Sequence, residues 1–385
     1  MNRGNRIRLM ILVAAILGLA VQTVGQENSR KEKDEPQGTP VLWRQPADIA
    51  SRNLYLGPGG AGMKPNLRRI TFIKDQPGGY SQKFRVRDAS GREWVAKVGK
   101  EAQSETAAVR LLWAVGYITE INYLVPRVNI RGKGTFENVR FEARPKGVKR
   151  LDEWKWEDNP FVGTRELQGL KVMMVLLNNW DTKDANNVIL STAHPSTGAR
   201  ELQYVISDLG ATLGKTGKLP IIWRITRSRN DPEGFSQDKF IDELKDDGRV
   251  DFHFTGKKRG MFNDVTIEQA RWIGGLLARL SNRQLRDVFR ASNYSPEEIQ
   301  ILTAAVKRRI KALVTLPKRG VSSLGLDRTS LSPTLQARFP PCNFQLPRYQ
   351  SDSACASRDE STVAVVWGIP NASCNRDSSA TRTVR

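Results

Sequence analysis

Five side chains in this sequence have the types and spacing for ion and proton chemistry. Lys97 stands in Val95-Ala96-Lys97, on a short apolar run, and Glu105 follows it eight residues later. Asp181 and Asn186 lie five residues apart in NNWDTKDANNVIL, residues 178–190, and Asp208 begins Asp208-Leu209-Gly210. Carboxylate and amide oxygens hold hard cations, a carboxylate can take a proton from a hydroxyl, and a lysine fixed on a strand can hold an anion. Other chemistries have little material. With two histidines (His194, His253) and three cysteines (Cys342, Cys355, Cys374), a zinc finger, a His-rich metal centre or a cysteine redox enzyme is not expected.

The elements that must position these residues change character along the chain. Residues 69–74 (RITFIK), Lys83–Arg87 and 92–98 (REWVAKV) read as strands separated by Asp, Pro and Gly turns, an antiparallel meander. Residues 104–115 read as a helix ending at Gly116, and 123–130 and 139–143 as two further strands. Residues 164–178 then place Leu167, Leu170, Met174 and Leu177 on one face of a long helix. Residues 187–191 and 202–206 form a hairpin around a His194–Gly198 loop. Three later helices are announced by Thr266 with Gln269, Ser281 with Gln284 and Ser295 with Glu298, each a capping box. The expected fold is therefore α+β and two-lobed, with a small antiparallel β lobe over residues 40–143 and a mainly helical lobe over residues 144–318.

The order of these elements and residues resembles the protein-kinase-like superfamily, most closely its atypical branches, such as phosphoinositide-kinase-like, bacterial toxin-type and secretory-pathway kinases. Val95-Ala96-Lys97 resembles the ATP-positioning lysine motif, Asp181 to Asn186 the catalytic loop, and Asp208-Leu209-Gly210 the metal-binding motif. The resemblance implies ATP and Mg²⁺ as cofactors and phosphoryl transfer to a hydroxyl-bearing protein, lipid or sugar. Asp181 would act as the catalytic carboxylate, and Asn186 and Asp208 would hold the metal, with Asn187 competing for that role. Lys97 and Glu105 would hold the nucleotide, with Glu101 an alternative partner for the lysine. Gly78 and Gly79 would offer backbone amides over the phosphates. A Gly-x-Gly-x-x-Gly loop is absent, and Asn179-Trp180 stands where His-Arg precedes the aspartate.

Residues 1–25 read as a signal peptide: a basic start, an apolar run over 9–21, and Thr23-Val24-Gly25 before the cleavage point. Retained, the same segment would act as a membrane anchor. Either way the chain is expected outside the cytoplasm, in periplasm, envelope or medium. Residues 26–39 read as a polar linker, and residues 319–385 as a low-complexity tail with a short strand at 361–368. Lysine and arginine total 61 against 40 acidic residues, a formal charge of +21, which suits acidic envelope polymers. Clusters such as Arg144 to Arg150, Lys257-Lys258-Arg259 and Lys307-Arg308-Arg309 would make those contacts. Nucleic acid is not expected as a partner, since no known nucleic-acid motif appears. The rival readings are a catalytically inactive scaffold of the same fold and a polyanion-binding envelope protein.

Overall fold

A computed structural model describes residues 37–79, 81–217 and 226–318. The expected signal peptide, most of the linker, Tyr80 and the tail with its strand and three cysteines lie outside them. Among the described residues no helix is long and apolar enough to cross a membrane.

The first lobe is a five-stranded closed barrel. Its strands are β2 (Ile70–Asp75), β3 (Lys83–Arg87), β4 (Glu93–Lys97), β5 (Asn122–Arg131) and β6 (Gly134–Ala143), in the order β2-β3-β4-β6-β5, with β1 (Thr39–Val41) lying outside the barrel. Neighbours pair antiparallel except at the closure, where Ile70 meets Ile130 in parallel. Alternation drives the closure: Phe84, Val86, Trp94, Ala96, Val139 and Phe141 all turn into one apolar interior. Helix α1 (Glu101–Ala114) packs on β5 and β6. It starts three residues before the expected residue 104, which moves Glu105 from the helix start into its second turn. Lys100, at its N-cap, makes no side-chain cap, so no capping signal marked the start. The end is as read. Gly116 (φ +103°) takes the left-handed cap, and Tyr117 N donates to Leu112 O.

The second lobe is built round α2 (Arg165–Leu176), capped by Thr164 and buried along every residue from Leu167 to Leu176. Strands β8 (Asn187–Ala193) and β9 (Arg200–Ile206) form the hairpin, with the two-residue β7 (Lys149–Arg150) on its β8 edge. The other edge is taken by β1, parallel to β9. Residues 39–54, expected in the linker and the β lobe, thus side with the helical lobe. Leu42, Ile49 and Leu54 share its core, and Gln284 Nε2 donates to the carbonyls of Ile49 and Arg52. Then come α3 (Pro232–Gln237), the hairpin β10 (Ile241–Leu244) and β11 (Val250–Phe252), and α4 (Ile267–Leu277), α5 (Asn282–Arg290) and α6 (Pro296–Val314). The last three carry all three expected capping boxes. Trp154 and Trp156 are buried side by side in this core.

Candidate active site

Lys97 ends β4 with its ammonium buried beneath α1. Glu101 and Glu105 are one turn apart on α1 and therefore share a face. The Lys97 Nζ lies 2.9 Å from Glu101 Oε2, 2.9 Å from Glu105 Oε2 and 3.4 Å from Asp208 Oδ1. Both carboxylates of α1 pair with the lysine at the same distance. Burial works against the Lys97 charge, but Glu105, Asp208 and Glu101 outweigh it and raise its pKa above the ordinary lysine value. Arg140 stands directly across from Lys97 on β6. Two cations at such a register would repel, and Glu105 separates them, giving Oε1 to Arg140 at 3.0 Å and Oε2 to Lys97.

Asp208 follows β9. Burial raises its pKa, but Lys97, the Gly210 N–H (3.0 Å to Oδ1) and Arg140 hold it below the usual carboxylate range. Gly210 has no room for a side chain, since an added Cβ would stand 2.8 Å from Glu101 Cβ. That close approach is what lets the Asp-Leu-Gly segment and α1 meet over one lysine. Asn186 closes a single 3-10 turn (Asp184–Asn186). Its carbonyl accepts from the N–H groups of Ser207 and Asp208, and its Nδ2 donates to Asp181 O at 2.5 Å. Asn187 points elsewhere, donating to Trp154 O at 3.0 Å from a buried position.

Lys97, Glu105, Asn186 and Asp208 line one cavity of about 290 Å³, together with Gly79, Arg140, Glu142 and Lys183. Gly78 is not among its lining residues and stands in the adjoining turn at φ +98°. A second cavity of about 360 Å³ continues it toward the lobe junction, sharing Gln76, Arg144 and Arg150, with Ile121, Ala143, Val148 and Leu190 as its apolar walls. Both ends carry charged side chains, and the second adds an apolar wall. Asp181 lies beside the first cavity rather than on its lining, touching Asn186 and bridged to Lys183 (3.3 Å) and Lys257 (2.6 Å). Burial raises its pKa, while Lys257, Lys183 and Asn186 bring it below the ordinary value.

The donor set suits Mg²⁺. Asp208 and Asn186 offer oxygens on one cavity, and Mg²⁺ is held by one or two carboxylates with water and phosphate supplying the rest. Among the described residues no cluster of three or more His, Cys, Asp or Glu side chains could hold a metal alone. Sequence reasoning missed Arg140 and Lys183, and read Lys257 only as part of a basic cluster for polyanion contacts. Lys183 lies in the same loop, two residues past Asp181. Arg140 gave no local signal.

No known family profile and no curated protein matches the sequence. Among solved structures, the chain is similar to the Helicobacter pylori proinflammatory kinase CtkA, at 12% identity over 64% of this chain and 95% of that one, with a TM-score of 0.39. It is also similar to the Rio2 kinase of Chaetomium thermophilum, solved with ADP, Mg²⁺ and phosphoaspartate, at 12% identity over 64% and 72% and a TM-score of 0.28. A Golgi casein kinase shares 8% identity over 67% and 74%, with a TM-score of 0.30.

Proposed function

We propose that the protein is an atypical kinase that transfers a phosphoryl group from ATP to a hydroxyl-bearing acceptor with Mg²⁺. The observation that carries this is the meeting of Lys97, Glu105, Asn186 and Asp208 on one cavity whose other end is a partly apolar slot. Such a transfer needs charge neutralised and oxygens held in line more than it needs covalent help. Lys97, placed by Glu101 and Glu105, would bind the α/β-phosphates. Asp208 and Asn186 would hold the metal, which would supply positive charge to neutralise the phosphates. Lys183 would meet the transferring group, and Asp181 would accept the hydroxyl proton. The base would lie against Val148 and Leu190.

Calorimetric titration of the protein with ATP, with and without Mg²⁺, tests this. Metal-dependent binding is expected; a protein that binds ATP in neither condition sinks the assignment. One observation favours the inactive-scaffold reading: Lys97, Asp208 and Asp181 already have ion-pair partners within the protein. Binding without transfer to any acceptor would select it. Export by residues 1–25 belongs to the same proposal, and fusing residues 1–40 to a reporter active only outside the cytoplasm tests it. A silent fusion with normal expression would refute it.

A further inference from the structure

Lys257-Lys258-Arg259 reads in the sequence as a solvated basic run. Its first two residues are instead fitted to the loop that carries Asp181. Lys257 N donates to Trp180 O at 2.9 Å, and Thr182 Oγ1 donates to Lys257 O at 2.5 Å. Gly256 approaches so closely that a Cβ there would stand 2.8 Å from Trp180 Cα. Lys258, at φ +52°, turns the chain and bridges Asp184 and Glu157. Lys257 is therefore fixed by its backbone, and its ammonium is delivered to Asp181 Oδ1.

One carboxylate thus has two ammonium partners on different oxygens, Lys257 on Oδ1 and Lys183 on Oδ2. Both lysines are nearly half exposed, at 44% and 45%. Only Lys183 lines the phosphate cavity. Lys257 stands outside it, and the Arg227 guanidinium, 5.2 Å from the Trp180 ring, adds positive potential at Asp181. A neutral acceptor hydroxyl needs the carboxylate and no cation outside the phosphate cavity. A backbone-fixed ammonium there matches an oxyanion carried by the acceptor.

We propose that Lys257 recognises the acceptor, which carries a phosphate or carboxylate beside its reacting hydroxyl. This rests on the phosphoryl-transfer reading and names its substrate class. On binding, Lys257 passes from Asp181 Oδ1 to the acceptor's oxyanion, and the freed Oδ1 receives the hydroxyl. The acceptor oxygen then bonds to the γ-phosphorus, the bond from that phosphorus to the β,γ-bridging oxygen breaks with its electron pair leaving on ADP, and the hydroxyl proton passes to Asp181.

The test uses two matched probe pairs: glycerol 3-phosphate against glycerol, and a serine peptide flanked by glutamates against one flanked by glutamines. Binding of each to the full chain is titrated by NMR with and without ADP and Mg²⁺, for the parent, Lys257→Met and Lys257→Arg. The parent should favour the anionic member of one pair by roughly tenfold or more, the scale of a charge-assisted contact. Lys257→Met should bring that preference toward unity with ADP affinity unchanged, and Lys257→Arg should keep it. The pair that responds separates a small phosphate from an acidic peptide. No preference in either pair, or a preference that survives Lys257→Met, overturns the proposal. A parent that fails to bind ADP counts against the kinase reading alone, because the titrations without nucleotide still report on Lys257.

Discussion

The two ends of the interlobe cleft are built from the same residue types and behave differently. At one end Lys97 gathers Glu101, Glu105 and Asp208, and Arg140 and Arg229 complete the set. Asp208 has the longest of the three bridges, 3.4 Å, and the most exposed side chain, 38% against 7% and 1%. Near the lobe junction Glu120 and Glu142 are enclosed by Arg140, Arg144 and Arg150, and Glu120 also accepts from Ser207 of the hairpin. No member of that acidic pair is exposed. A carboxylate that must exchange partners is loosely held and wet at its edge; a carboxylate that braces two lobes is sealed. Buried ion pairs alone therefore do not mark a reactive site.

Exchanging the loose member should have the largest effect. Asp208→Ala is expected to abolish Mg²⁺-dependent ATP binding in calorimetry while the chain stays folded, since Lys97 keeps both α1 carboxylates. Lys97→Met should differ in kind. It removes one partner from buried Glu105 and Glu101, which keep Arg140 and Arg229, so a melting curve should show a loss of about 1–3 kcal/mol along with weaker nucleotide binding. Near-parental melting for Lys97→Met would show that the lysine does not organise this end.

Asp181→Ala should leave ATP affinity intact and lower transfer by about 10²–10⁴-fold, because its role is played in the transition state. Equal losses of binding and transfer would place Asp181 with the metal ligands. Smaller again is the contrast between the α1 carboxylates. Glu105→Gln cuts the link from Lys97 to Arg140, whereas Glu101 shares its load with Ser81 and Arg229. Glu105→Gln should therefore weaken ATP binding by about tenfold and Glu101→Gln by less. The reverse order would make Glu101 the working partner.

Much of the frame was legible because local patterns decided it. Lys83–Arg87 was read with its observed bounds, as strand alternation between turn residues allows. The capping boxes located the last three helices because a cap is a three-residue signal. The small β lobe followed by a helical lobe came from the order of such signals. What failed was tertiary. Strand β1 is three residues long and finds β9 some 160 residues away. Arg140 sits on a strand where alternation says only which face it takes, and its meaning comes from Lys97 across the ladder. Lys257 matters through two hydrogen bonds to a loop more than 70 residues earlier.

The smallest effect concerns the sealed pair and is read against pH. Burial, reinforced by neighbouring Glu142, pushes the Glu120 carboxyl from 4.5 up to about 7, against the pull of Arg150, Arg144 and Arg140. Glu142 goes the other way: burial opposes its charge, but Arg140, Arg144 and Arg150 hold it far below the usual range. The folded chain thus binds a proton at Glu120 that the unfolded chain has lost between pH 4.5 and about 7. Stability from Glu120 is full below that window and is lost as pH rises through it. Stability from Glu142, Asp181 and Asp208 is present above the ordinary carboxylate pKa and is lost on acidification. Glutamine imitates the protonated Glu120 at every pH. Urea unfolding of Glu120→Gln should therefore improve relative to the parent by on the order of 1–3 kcal/mol between about pH 5 and pH 8. A difference that stays constant across that range would mean that Glu120 titrates as an ordinary carboxylate and that the two ends of the cleft are electrostatically alike.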